Sequence, residues 1–466
     1  MGPGKYQERT RAFMFSIRAG CLLVGLLASN VLAGQVVAPV TSPDVGPAPK
    51  PVSEWFRSNA IPLKSTNPDS ALDDLSPLKR VIGDAQIVAL GEATHGTREF
   101  FQLKHRMLEF LVEKLGFTVF AIEGNWPESL AVNDYVLSGQ GDPAEALAGM
   151  YFWTWDTQEM LDMMRWMRRY NQDPAHVKKL KFVGFDMQTA RVAVANVEHY
   201  LQRVDLDEAK VAAKILAPLS DVFGEKEYSR RPPALRRETA VGIKLLLDKF
   251  SEKKLSYTKA SSEEEWILAQ HNLVIVRQAE RVHSAGQLGR LRIRDVSMAQ
   301  NITWIVDNEP PGTKIMIWAH NGHVSTEGFP GAGSMGMYLR RIYGPRMVVC
   351  GLLFNQGSFQ AVARSGLREF TVGPALPGSL DSALAATGLP LFAVDLRDAP
   401  STGVVAEWLD SPHPARTIGA LYNDSYPEMF YMSVLPHSYD VIFFADRTTA
   451  PQKSSRSMEF EFRPGH

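Results

Sequence analysis

Four stretches of this 466-residue chain end an apolar run on a side chain that takes or gives a proton. Ile87-Val88-Ala89-Leu90 leads into Gly91-Glu92-Ala93-Thr94-His95-Gly96, and Val119-Phe120-Ala121-Ile122 leads into Glu123. Phe182-Val183-Gly184-Phe185 ends on Asp186, and Ile315-Met316-Ile317-Trp318-Ala319 ends on His320-Asn321-Gly322-His323. Short apolar runs of this kind read as strands buried on both faces, as in parallel sheets, and open α/β sheets gather ligands outside the carboxyl ends of their strands. Two glutamates, an aspartate and three histidines are therefore expected in one crevice, the outline of an acid–base site.

Glu92 and His95 stand three residues apart in a turn bounded by Gly91 and Gly96, whose backbone freedom suits a tight bend. A carboxylate beside an imidazole fixes its tautomer and raises its basicity, which makes His95 a candidate general base near neutral pH. The plainer reading has Glu92 capping the next helix and His95 as a satisfied loop histidine. Glu123 ends a run that should be wholly buried, and a charge buried without a partner is costly, so a cationic or proton-sharing neighbour is implied. A purely structural ion pair also meets that requirement. Asp186 makes the same argument more weakly, because an aspartate at a strand end also caps a following helix.

Arg294, followed by Asp295 on a predicted helix with Met298, Ala299 and Asn301, is a candidate to pair Glu123 or to neutralise an oxyanion. His320 and His323 could join Glu92 and His95 as metal ligands, although their spacing matches none of the strong zinc signatures, and no cofactor is expected. Serine catalysis lacks its Gly-x-Ser-x-Gly elbow: Gly331-Ala332-Gly333-Ser334-Met335-Gly336 misses it at the first position. What remains is attack by water on an activated carbonyl, with a histidine as base and an arginine or second histidine on the oxyanion. Tyr151-Phe152-Trp153-Thr154-Trp155 concentrates aromatic surface, read either as core packing or as a wall for a large, partly apolar substrate.

The elements that must position these residues follow from pattern. From about residue 53 to 190 strands alternate with helices predicted over 75–82 and 97–115, the βαβ rhythm. Strand signals then vanish, and apolar residues at helical spacing, as in Glu208 to Leu219 and Glu263 to Val282, predict a helical insert over about 192–290. Strands resume at 314–319, 346–354, 358–363, 391–396 and 439–445, with Gln356-Gly357 predicting a hairpin. The expected fold is an α/β domain over 53–450: a central mixed, largely parallel sheet flanked by helices, with a helical insert or cap over the strand C-terminal ends, then a tail over 451–466.

Composition bounds the rest. A net charge of -1 and 45% apolar residues fit a globular protein, and no basic stripe suggests a nucleic-acid partner. Lys5, Arg9, Arg11 and Arg18 precede the apolar stretch Ala19 to Ala28 and then Val31-Leu32-Ala33, the order of a secretory signal peptide over 1–33. That apolar stretch is shorter than the ~20 residues a span requires, so an exported protein, periplasmic or secreted and without a stable membrane span after cleavage, is expected. A Pro- and Val-rich linker over 34–52 follows. Cys350 would then be the single cysteine of the mature chain, expected as a buried thiol.

Several of these motifs, in this order, resemble the erythromycin esterase family, whose members are also described as succinoglycan biosynthesis protein-like. They are Gly91 to Phe100, Ile122-Glu123-Gly124-Asn125-Trp126-Pro127-Glu128-Ser129, Asn133-Asp134-Tyr135-Val136, Phe152-Trp153-Thr154-Trp155, Gly184-Phe185-Asp186-Met187-Gln188, Arg294-Asp295 and Trp318 to His323. The likeness runs from about residue 75 to 445. In that family a histidine of the Gly-Glu-x-x-His turn activates water to open the macrolactone of 14-membered macrolides, without a covalent intermediate. The resemblance implies His95 as base, Glu92 orienting it or the water, Glu123 and His320 completing the cluster, and Arg294 helping. Arg98, Trp126, His323, Trp153, Trp155 and Asp186 are expected on the substrate side. The implied activity is hydrolysis of a small-molecule ester or lactone, either a macrolide, as in antibiotic resistance, or an acyl group on envelope glycan or an environmental lactone. A metal-dependent hydrolase using Glu92, His95, His320 and His323, and a ligand-binding relative without turnover, are the alternative readings.

Overall fold

The computed structural model describes residues 46–220, 228–329, 331–363, 366–422 and 430–454. The expected leader and most of the linker lie outside the described residues. The strands are β1 (Ala60–Pro62), β2 (Ile87–Leu90), β3 (Val119–Asn125), β4 (Lys181–Asp186), β5 (Ile315–Trp318), β6 (Met347–Ala363), β7 (Gly366–Val372), β8 (Leu391–Asp395), β9 (His413–Arg416), β10 (Phe430–Ser433) and β11 (Val441–Thr448). The main sheet runs β1-β8-β11-β6-β2-β5-β3-β4, with β7 added to β6, while β9 and β10 form a separate pair.

From β11 to β4 every neighbouring pair is parallel; β8, β1 and β7 join antiparallel. The mixed, largely parallel α/β sheet is thus the fold, and its parallel part holds the four expected runs, with β4 as the edge strand. β2, β3 and β5 are buried at every position, which is why they read as continuous apolar runs rather than as alternating ones. Helices Arg98–Leu115 and Gln158–Gln172 cover the sheet; Phe101, Met107, Leu108, Leu111, Met160 and Met164 join Val88, Phe120 and Met316 in one core cluster. Among the described residues no helix is long and apolar enough to cross a membrane.

Four features differ from expectation. The helical insert extends from Arg191 to Asn308, through helices that include Glu263–Ser284 and Gln287–Asn308, because the strand β5 that ends it begins only at Ile315. No hairpin forms at Gln356-Gly357: β6 runs straight through, since Gly357 pairs with Val372 of β7 on one side and Thr448 of β11 on the other. The first helix among the described residues, Lys50–Asn59, starts inside the stretch read as linker, and its Phe56 packs edge-on against Trp408. Residues 451–454, the described start of the tail, also pack back: Gln158 N–H donates to the Gln452 carbonyl at 2.8 Å, and Thr157 bridges Lys453.

The glycines around the Glu92 turn serve close approach instead of a left-handed backbone; neither is among the residues of positive φ. A Cβ on Gly91 would meet Asn321 Oδ1 at 2.1 Å, and one on Gly96 would meet the Gln360 carbonyl oxygen of β6 at 2.0 Å. The second neighbour is backbone held by the Gln360 N–H to Gly96 carbonyl bond at 2.8 Å, so it cannot swing aside. Gly96→Ala is therefore expected to destabilise the protein by about 1–3 kcal/mol, the usual cost of overpacking. A urea melt checks this, and an unchanged midpoint would contradict the packing argument.

Candidate active site

β2 ends at Leu90 and delivers Glu92 into the space between the parallel strands and helix Arg98–Leu115. The Glu92 carboxylate is completely buried and fully used. Its Oε1 accepts from His95 Nδ1 at 2.7 Å, and its Oε2 accepts from Lys104 Nζ at 2.7 Å and from Trp318 Nε1 at 2.8 Å. Burial favours the protonated acid, but Lys104 and His95 outweigh it and hold the carboxyl below its ordinary range. An ionised Glu92 can only accept, so His95 carries its proton on Nδ1 and presents Nε2 as the basic nitrogen.

Lys104 was not anticipated from sequence, although it has a recognisable signature. It is a lysine on the face of the helix that also carries Phe101, Leu108 and Leu111, all buried. Lys104 is itself fully buried, its Nζ lying 4.3 Å from the centroid of the Trp318 ring. Burial pushes its ammonium down to about 8, against the pull of Glu92 and Glu123.

A second node forms at Glu123. The β3–β4 register jumps between Ile122–Gly184 and Asn125–Asp186, a bulge that inserts one extra residue and re-aims the strand end beside the site. Glu123 Oε2 accepts the backbone N–H of His320 at 2.9 Å, and its Oε1 accepts from Arg294 Nη2 at 2.7 Å. The carboxyl is held well below the usual range: burial opposes this, and His323, Arg294 and His95 together prevail. Arg294 comes from the insert and is clamped by both oxygens of Asp186, with Nη2 to Oδ2 at 2.6 Å and Nε to Oδ1 at 3.1 Å. Its helix is anchored by Asn301, whose Nδ2 donates to the Phe185 carbonyl at 2.9 Å. Arg294 therefore stands as the partner of Glu123 and Asp186 through Nε and Nη2, while its Nη1 faces His323.

His320 caps the short helix Asn321–Val324, its Nδ1 accepting from Gly322 N–H at 3.1 Å. Since Nδ1 accepts, the proton sits on Nε2, a buried donor without a hydrogen-bond partner among the described residues. Burial, then the neighbouring His95 and His323 rings, push this imidazole down to about 3, so it stays neutral. Its ring centroid is 5.2 Å from that of His95. His323 Nδ1 is 2.9 Å from Asp295 Oδ1 and its Nε2 is 2.9 Å from Arg294 Nη1. Burial lowers its proton affinity, yet Asp295 and Glu123 raise it further and prevail.

The other expected residues fall outside this pair of imidazoles. Trp155 is 1% exposed; its indole N–H donates to the Glu123 carbonyl at 3.1 Å, and its ring stands edge-on to His95 at 5.9 Å. Trp126 packs between His271, at 4.6 Å, and Trp304, at 5.5 Å, both on insert helices. Arg98 Nε lies 3.3 Å from Glu159 Oε1, on the carboxylate that accepts the Gln452 N–H, and Trp153 is half-buried in the aromatic loop. Among the described residues no group of three or more His, Cys, Asp or Glu side chains is arranged to hold a metal ion. The two imidazoles are nearly sealed from solvent, with His95 8% and His320 7% exposed.

Comparison with known proteins agrees with this architecture. The family model for erythromycin esterase matches residues 112–448, a span that takes in Glu123, Asp186, Arg294, His320 and His323. Erythromycin esterase type II of Escherichia coli is 27% identical over 390 residues, which cover 74% of this chain and 89% of that protein. A Bacillus cereus protein of solved structure superposes with a TM-score of 0.77 at 28% identity, covering 86% of this chain and 98% of its own. The structure of a succinoglycan biosynthesis protein gives 0.75 at 26% identity, covering 87% and 98%. With its matched region extending over most of its length, the chain belongs to the erythromycin esterase family.

Proposed function

We propose that this protein hydrolyses an ester or lactone of a small molecule, a macrolide macrolactone being the leading candidate, with water activated by His95. The observation that carries the reading is the 2.7 Å contact of His95 Nδ1 with a Glu92 carboxylate that Lys104 and Trp318 keep in place, which leaves Nε2 as a base of fixed orientation. In the proposed reaction Nε2 takes a proton from water as the oxygen bonds to the carbonyl carbon. The carbonyl electrons move to oxygen, and that oxyanion accepts from the neutral His320 Nε2–H. Collapse of the tetrahedral species breaks the carbon–alkoxide bond, and the imidazolium of His95 protonates the leaving oxygen. Glu123 acts at one remove by holding the His320 backbone N–H, with Arg294 and Asp186 balancing its charge.

A turnover screen by mass spectrometry with macrolides, aryl esters and acylated glycans tests the class. Gain of one water by any of them supports a hydrolase, and no turnover across the panel favours a ligand-binding protein. The pH profile adds a second check. Below about 8 the Lys104 ammonium is charged and compensates Glu92; above it the charge is lost and the Glu92–His95 pair loses its counter-ion. Activity is therefore expected to decline as pH rises through about 8. A profile that stays flat through the alkaline range would contradict that role for Lys104.

A further inference from the structure

The segment Thr417 to Leu421 was not singled out in the sequence, yet it forms a wall of the reacting centre. Ile418 N–H donates to the Ala93 carbonyl at 2.7 Å, and His95 N–H to the Gly419 carbonyl at 3.4 Å. On its other side Val362 N–H donates to the Ala420 carbonyl at 3.0 Å, so the segment is laced between the Glu92 turn and β6. Gly419 has φ +66°, a left-handed conformation that favours glycine. A Cβ built there would point at His320 Nε2, 3.8 Å away, and apart from chain neighbours would meet no other atom of the described residues within 4 Å. His320 Nε2 is the buried donor that has no partner among the described residues, beside the His95 ring.

We infer that Gly419 keeps the oxyanion position open: its missing side chain leaves the space facing His320 Nε2 for the carbonyl oxygen of the substrate as that oxygen gains charge. The inference rests on the hydrolase reading and deepens it. Two facts join here that have no structural need of each other. A buried N–H without an acceptor is unfavourable in a folded protein unless a ligand oxygen supplies one. A glycine backbone beside it lets that oxygen approach, and the lacing on both sides prevents the wall from moving to admit a larger residue.

Gly419→Asn tests this, because asparagine tolerates the left-handed backbone and places its amide in the disputed space. The expected result is a folded protein with a melting temperature close to wild type and a shifted imidazole ¹⁵N resonance of His320 Nε2. Its kcat should fall at least about tenfold while KM changes little, since the loss falls on transition-state stabilisation. Gly419→Ala, with less bulk, should show an intermediate loss, and it carries the test should the asparagine variant not fold. Wild-type kcat in either folded variant, or an unmoved His320 resonance, overturns the inference. The two readings fail separately. If the wild-type protein hydrolyses nothing in the screen, the hydrolase reading falls, whereas the His320 resonance still decides whether position 419 faces that nitrogen.

Discussion

The His95→Asn protein is expected to lose hydrolytic activity while keeping its fold. Asparagine can still donate to Glu92 from its amide, so the carboxylate keeps a partner at that position, but it offers no nitrogen able to take a proton from water. General-base catalysis contributes about 10²–10⁴ in rate, and the loss in kcat/KM should fall in that range. Circular dichroism and a thermal melt on the same sample establish that folding is intact. Full activity in the folded variant would sink the proposed mechanism. Activity that is reduced but regains the wild-type rate with added imidazole would support it, because an exogenous base replaces only the missing nitrogen.

The second large effect is expected at Lys104, where charge and stability are joined. Lys104→Met fills similar volume but leaves the fully buried Glu92 with only His95 and the Trp318 N–H as neighbours. Removing one partner of a buried ion pair costs about 3–5 kcal/mol, because the remaining charge stays desolvated. The protein has one local remedy, which is to protonate His95 and pair imidazolium with carboxylate. That remedy removes the base. Activity at neutral pH should therefore fall steeply and recover in part as pH is raised, moving the acid limb of the profile upward, while urea melts show the lost stability. Unchanged stability together with an unchanged profile would show that Glu92 does not depend on the lysine. Lys104→Arg gives the complementary result: a charge that persists above about 8 should remove the alkaline decline.

These expectations depend on features of unequal legibility. The four apolar runs were readable because parallel strands covered on both faces have no reason to alternate, and β2, β3 and β5 are buried throughout. The carboxylates and imidazoles at their ends were readable because a polar residue closing such a run must be explained. The Glu92–His95 contact follows from a spacing of three residues within one turn, a local fact. The hairpin expected at Gln356-Gly357 failed for the opposite reason: whether a Gly-containing step turns or continues depends on the strands beside it, and β7 and β11 both pair across it.

By itself, then, the sequence determined the fold class, the helical nature of the insert, and the nearness of Glu92 to His95, since each is encoded in hydrophobic period or short-range spacing. Tertiary structure alone decided how the charges are shared. It brought Lys104 across from a helix to Glu92, clamped Arg294 between Glu123 and Asp186, and set Gly419, more than three hundred positions from His95, against the His320 nitrogen. The physical reason is that strand order and a bulge in β3 fix which distant residues meet, and the proton affinity of a buried group depends on those neighbours more than on its own position in the chain.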